Sequence, residues 1–191
     1  LFYGLKSKYN RKYIWLDVET LSINLLKQSQ VLIEVKYFTA MINNNPSKEK
    51  RQRTYISALK TLQKTKIIYG KYLTNRHTCP NCGKIEKIPS EKMTDVNIAT
   101  HLLSDAFNNS FDIAIIVSAD SALTGPINMV RNLFNSKKVV IAFPPDRVSF
   151  DLKIAASAYF HIGRRTFSIS QFPHSIQLPN GIKIQRPISW N

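Results

Sequence analysis

The amino-acid sequence predicts an α/β domain whose sheet is mainly parallel and flanked by helices. Three observations carry this reading. Apolar, β-branched runs recur at 31–38, 113–118 and 138–143. Segments between them repeat apolar residues at helical spacing, and strand alternates with helix along the chain, an order that favours parallel pairing through right-handed crossovers.

In order, residues 18–28 place Val18, Leu21, Leu25 and Leu26 on one helical face, with Asp17 positioned as an N-terminal cap. The run at 31–38, Val-Leu-Ile-Glu-Val-Lys-Tyr-Phe, reads as a strand. Residues 48–65 set Tyr55, Leu59 and Leu62 on a buried face, leaving Lys50, Arg51, Arg53, Lys60 and Lys64 as a basic exterior. A strand is expected at 67–73, then a turn carrying Cys79 and Cys82, inserted near 76–88. Residues 91–107 align Val96, Ala99, Leu102, Leu103 and Ala106 as a helix face. The uninterrupted apolar run at 113–118 is a buried strand, followed by a helix at 123–134, a strand at 138–143 and a helix at 149–159. Pro179-Asn-Gly181 separates two short alternating runs, the signature of a tight hairpin. The expected organisation is one domain over 1–170 with a β-hairpin appendage over 171–191.

The chain of 191 residues carries 27 Lys and Arg against 12 Asp and Glu, a formal charge of +15. Such a field attracts polyanions, and nucleic acid is the leading partner class. Phosphate contacts are expected from Lys50, Arg51 and Arg53 with Lys48, from Arg76 beside the cysteine turn, from Lys92, and from Arg164 with Arg165. No apolar run reaches 18 residues and no signal-peptide pattern opens the chain, so it is expected to be cytoplasmic and not membrane-bound. No GxGxxG follows a predicted strand, and six glycines leave little room for a dinucleotide-binding turn. Oligomerisation is left open.

Two groups of residues suggest metal chemistry. Asp120 lies two residues beyond the strand at 113–118, and Asp95 lies near a helix start preceded by Glu91 and Lys92. In parallel α/β sheets ligands gather beyond the carboxyl ends of the strands. Converging carboxylates there suit a hard divalent cation, which can activate water toward a phosphodiester. The competing reading is structural: Asp95 serves a helix terminus and Asp120 shapes a turn. Cys79 and Cys82 have the spacing of half a zinc site, with His77 as a third ligand and His101, His161 or His174 as sources of a fourth. An unmetallated turn and a site shared between molecules stay open.

Glu91-Lys-Met-Thr-Asp95-Val-Asn-Ile-Ala-Thr and Val117-Ser-Ala-Asp120-Ser-Ala-Leu resemble two acidic motifs of the NYN domain family, and the likeness extends to Ile68-Tyr-Gly-Lys-Tyr-Leu73, Val140-Ile-Ala-Phe-Pro-Pro145 and Ser170-Gln-Phe-Pro173. The resemblance implies a Rossmann-like, PIN-like sheet and a Mg²⁺- or Mn²⁺-dependent endoribonuclease. It makes Asp95 and Asp120 metal ligands, with Ser118 and Ser121 as polar neighbours that face RNA. Two departures matter. The family pattern Ser-x-Asp-Ser-Asp has Ala122 at its last position here. Leu1-Phe-Tyr-Gly4 resembles the residues that follow the family's first strand, so that strand and its aspartate are expected upstream, in the middle of the sheet between 31–38 and 113–118. Impaired hydrolysis is therefore expected, the alternative being a catalytically silent RNA-binding or protein-interaction module.

Overall fold

The computed structural model describes residues 1–42, 45–78 and 80–190, without the side chains of 72–78 and 86–91. The first half holds α1 (Phe2–Tyr9), α2 (Val18–Leu25), β1 (Val35–Thr39), α3 (Pro46–Leu59), β2 (Thr65–Tyr69), β3 (Lys71–Thr78) and β4 (Ile85–Lys92). Then come α4 (Thr94–Phe107), β5 (Ile113–Ile116), α5 (Thr124–Leu133), β6 (Lys138–Phe143), α6 (Phe150–Ala155), β7 (Ala158–His161), α7 (Arg164–Ile169), β8 (Ser175–Gln177) and β9 (Lys183–Gln185). Local chemistry sets several helix starts. Asp17 Oδ1 accepts from the amides of Glu19 and Thr20, both at 2.9 Å, Asn45 accepts from the Lys48 amide with Pro46 in the first turn, and Ser149 caps α6.

The sheet is parallel where alternation predicts it, but it comes in two parts. β1 pairs with β2, and β5, β6 and β7 pair in that order, every pair parallel. Helix α4 relates the two parts. It ends shortly before β5 begins and packs on the 3-10 turn Ser121–Leu123 beyond the other end of β5, so it runs antiparallel to that strand. It also runs antiparallel to β1: Lys36, early in β1, meets Asp105 near the end of α4, whereas Phe38, two residues on, meets His101 one turn earlier, with ring centroids 5.7 Å apart. β1 and β5 therefore point the same way, and their carboxyl ends share one rim.

Two apolar cores sandwich these strands. On one side Trp15, Leu16, Tyr55, Leu59, Phe167 and Trp190 form a cluster onto which Val35, Tyr37, Ile115 and Val117 pack. On the other, Leu102, Ile127, Val130, Phe143 and Leu152 join α4, α5 and α6 over Ala114 and Ile116. Tyr55 donates to the Leu16 carbonyl at 2.7 Å, and the Trp15 indole donates to the Pro173 carbonyl at 2.8 Å. The C-terminal β8–β9 hairpin is antiparallel as the Asn-Gly turn predicts, and Ile184 carries it into the first core.

Between β1 and β5 no pairing joins the two sheets among the described residues. The β1–β2 bonds start with the Val35 amide on the Lys64 carbonyl and end with the Gly70 amide on Thr39, which turns the backbone groups of Lys36 and Phe38 away from β2. The Lys138 amide bonds the Asp112 carbonyl, so Ile113 and Ile115 likewise turn theirs away from β6. All residues of both strands stay half-buried despite the cover on each face.

Several elements differ from expectation. The helix expected at 149–159 stops at Ala155: Ala156 is extended, and Tyr159 and Phe160 instead pair with Ile141 and Ala142 as β7 on the open edge of β6. The strand expected at 67–73 breaks at Gly70, where a Cβ would lie 2.8 Å from the Lys92 carbonyl oxygen and 2.9 Å from Thr94 Oγ1. Beyond it the chain forms an antiparallel arm, Lys71 opposite Lys92 and Thr78 opposite Ile85, so Cys82 lies at the tip of a hairpin and not in a simple turn, while Cys79 lies outside the described residues. Residues 31–34 precede β1 without joining it, and α3 ends at Leu59. α1, β4 and α7 are additional.

Candidate functional site

The candidate site residues follow strand ends. α3, with Lys48, Lys50, Arg51 and Arg53, begins shortly after β1. The arm and the start of α4, with Lys92 and Asp95, follow β2. Ser118, Asp120 and Ser121 follow β5, and Arg164 follows β7. The parallel order thus brings them to one end of the sheet, the position at which open α/β sheets hold ligands.

Asp95 is exposed in the first turn of α4, where a carboxylate complements the helix dipole. That turn is anchored: the Asn97 side chain donates to the Tyr69 carbonyl at the end of β2, 3.3 Å away. Asp120 is exposed too, and α4 packs on the 3-10 turn Ser121–Leu123 that it opens. Its Oδ1 accepts from the Ala122 amide at 3.0 Å, and its own amide donates to Ser118 Oγ at 3.1 Å. The structural role for Asp120 is therefore real, and it engages one of the two carboxylate oxygens. The Ala122 side chain is exposed beside it and offers no atom that could ligate a metal.

The described donor set falls short of a metal centre. Among the described residues no three His, Cys, Asp or Glu side chains gather where they could hold one ion. A hard cation needs about six oxygen ligands, most conveniently from several carboxylates and water. Asp95 and Asp120 share a rim, Ala122 beside Asp120 has no ligating side chain, and Glu91 lies outside the described side chains.

The cationic candidates divide by how they are held. Arg53 is paired with Glu49, with Nη2 at 2.7 Å, and Arg51 donates to Ser47 Oγ at 2.6 Å, so part of the charge of α3 is turned along the helix. Lys50 and Arg53 border an open groove with Glu49, Thr54 and Ser57. Arg164 is exposed and donates through Nε to the Tyr13 hydroxyl at 3.1 Å; this bond holds the Tyr13 phenol below its ordinary value. Lys92 is exposed at the base of the arm. Of the aromatic side chains at the strand ends that could stack on a base, Phe143 is fully buried and belongs to the core, whereas Tyr69 is exposed.

Cys82 is a free, exposed thiol. Cys79 and the side chains of His77, Arg76 and Tyr72 lie outside the described residues. His101 and His161 pack against Phe38 and Phe143 in the body of the domain. The arm extends for eight residues per strand, on the order of 25 Å, which removes both histidines as ligands for its tip.

Sequence reasoning missed one feature of this rim. Asp120, Ser121, Ala122, Thr124, Asn128, Asp151, Ile154 and Ala155 line a cleft of about 460 Å³ between the 3-10 turn, α5 and α6. The signal available was spacing: Thr124 and Asn128 are one turn apart on α5, as are Asp151 and Ala155 on α6.

A parallel, doubly flanked sheet with acidic residues at its carboxyl rim defines a PIN-like domain. The chain belongs to the NYN domain family, whose profile matches residues 7–164. Its fold is similar to that of a protein of unknown function from Vibrio parahaemolyticus, at a TM-score of 0.57 and 19% identity, over 85% of this chain and 86% of that one. Comparison with curated proteins gives no match. The family is a nuclease-type one and generally depends on divalent metal. No helix among the described residues is long and apolar enough to cross a membrane.

Proposed function

We propose that this chain is an RNA-binding NYN domain of endoribonuclease type in which phosphodiester hydrolysis is impaired. The observation that carries the reading is the composition of the rim: lysines and arginines from three separate segments (α3, the arm and the start of α7), two exposed carboxylates, and an alanine at position 122. Lys48, Lys50, Lys92 and Arg164 seat the RNA backbone, while Ser118 and Ser121 contact it near Asp120. Asp95 and Asp120 are the residues that would hold Mg²⁺ or Mn²⁺, and with only two carboxylates they hold it weakly. Family membership supports the substrate class, and the charge of +15 supports the affinity.

A catalytically silent RNA-binding module is favoured as second reading by the absence of a three-ligand cluster among the described residues. One experiment separates the readings. Fluorescence anisotropy with a single-stranded RNA should show binding that weakens steeply with salt and survives EDTA and Asp120→Asn. Slow Mn²⁺-dependent cleavage lost in Asp120→Asn supports the impaired enzyme; no cleavage supports the silent module; and failure to bind RNA at low salt overturns both.

We further propose that the cysteine pair at the arm tip takes zinc. Gly83, at φ 68°, supplies the left-handed residue that a turn following two metal-binding thiolates uses. Zinc content of the purified chain, lost on Cys82→Ser, tests it. A cytoplasmic location is proposed on the same grounds as in the sequence reading.

A further inference from the structure

The cleft beside Asp120 differs chemically from the rest of the rim. Its lining residues include two acids, Asp120 and Asp151, one carboxamide residue, Asn128, the hydroxyl residues Ser121 and Thr124, and apolar walls from Ala122, Ile154 and Ala155. No Lys or Arg lines it, in a chain of formal charge +15. A phosphate group is repelled from its interior between Asp120 and Asp151, so the backbone contacts of Ser118 and Ser121 stay at its mouth.

The walls are fixed. Arg131 of α5 donates to the Ala155 carbonyl of α6 at 2.6 Å, tying the two helices together, and Leu123, Ile127 and Leu152 are buried behind them. Thr124 Oγ1 is sealed from solvent and has no hydrogen-bond partner among the described residues. The volume of about 460 Å³ falls within the range of about 300–1,000 Å³ usual for small-ligand clefts. Ile154 stands 66% exposed at the edge, an apolar surface for the face of a flat ring.

We propose that this cleft receives a guanine base of single-stranded RNA bound along the rim. An ionised carboxylate only accepts hydrogen bonds. Guanine offers two adjacent N–H donors, N1 and the exocyclic amine, on one edge, and a carboxylate can accept both. Uracil offers one N–H between two carbonyl oxygens, which the carboxylates repel; adenine and cytosine offer one amine beside an acceptor nitrogen. Single-stranded RNA is read by hydrogen bonds to such unstacked edges. Asp151 is the specificity residue, Asn128 serves the remaining polar atoms, and Asp120 stands where the base passes to the backbone. This inference rests on the RNA-binding reading above.

The test is the affinity of the whole chain for four RNA heptamers, UUUNUUU with N as G, A, C or U, in EDTA. The guanine heptamer should bind roughly ten-fold more tightly than the others, as expected for one good two-bond base contact. Inosine at the same position, which lacks the exocyclic amine, should lose most of that preference. The ratio of guanine to uracil affinity should fall toward one in Asp151→Asn and decrease in Asn128→Ala. Equal binding of all four heptamers overturns the pocket and leaves RNA binding intact. A guanine preference that persists in Asp151→Asn, or that exists only with a divalent ion present, also overturns it. Binding of no heptamer at low salt removes the RNA reading and the pocket together.

Discussion

Asn97, in the first turn of α4, donates its side-chain amide to the carbonyl of Tyr69 at the end of β2, 3.3 Å away. This bond joins the turn that carries Asp95 to the carboxyl end of the β1–β2 pair. An exposed bond of this kind contributes about 0.5–1.5 kcal/mol. Asn97→Ala should lower the melting temperature by only about 2–4 °C, yet it should weaken Mn²⁺ binding by loosening Asp95. Thermal denaturation combined with Mn²⁺ titration checks this, and unchanged Mn²⁺ affinity would separate Asp95 from the ion.

Tyr55 links the α3 layer to the loop before α2 by its bond to Leu16. Burial pushes its phenol well above the ordinary value of 10.0. A group raised in the folded state supports stability fully below its unfolded pKa and loses that support as pH rises through the folded value. Stability should therefore be insensitive to Tyr55 up to about pH 9 and decline above about pH 10. Tyr55→Phe should flatten that decline while costing about 1–3 kcal/mol at neutral pH, because the Leu16 carbonyl loses its buried donor. Urea unfolding at several pH values measures both effects.

Lys36 is half-buried between β1 and α4, paired with Asp105 and lying 3.5 Å from Glu34. Its burial lies between that of exposed pairs, worth under about 1 kcal/mol, and buried ones, so Lys36→Ala should cost about 2 kcal/mol. Burial raises the Glu34 carboxyl, but the bond from Lys66 and the charge of Lys36 outweigh it and hold the group below 4.5. Glu34 thus supports the fold above its unfolded pKa and loses that role as pH falls through the lower folded value. Removing Lys36 should shift acid unfolding to higher pH, which circular dichroism across pH 2–6 detects.

What could be read from sequence divides along physical lines. Elements with strong period or special turn chemistry were legible: the core strands at 113–116 and 138–143, the Asp17-capped helix, and the hairpin around Asn180-Gly181. β7 was not, because Ala-Ser-Ala-Tyr-Phe continues a helical pattern and becomes a strand only where β6 leaves an edge for Tyr159 and Phe160. The arm was hidden because Gly70 interrupts one apolar run, and the reason for that break, the close approach of Lys92 and Thr94, is tertiary. At the site, the position of Asp120 past the end of a strand and of Asp95 at a helix start was legible from the sequence. The cleft with Asp151 did not, since it depends on two short helices packing across the 3-10 turn.

RNA affinity should respond unevenly to the basic residues. Arg53, already paired with Glu49, should matter less than Lys50 or Arg164. Lys50→Ala should reduce the salt dependence of binding by roughly 0.7 in the log–log slope for a single strand. An unchanged slope would place α3 outside the interface.

The central claim is that Asp95 and Asp120 face one divalent ion at a rim weakened by Ala122. Isothermal titration of Mn²⁺ into the chain and into Ala122→Asp tests it most directly. The account predicts weak binding by the chain and at least a ten-fold gain in the variant, a gain abolished when Asp120→Asn is added. Equal Mn²⁺ affinity in the chain and in Ala122→Asp would contradict it.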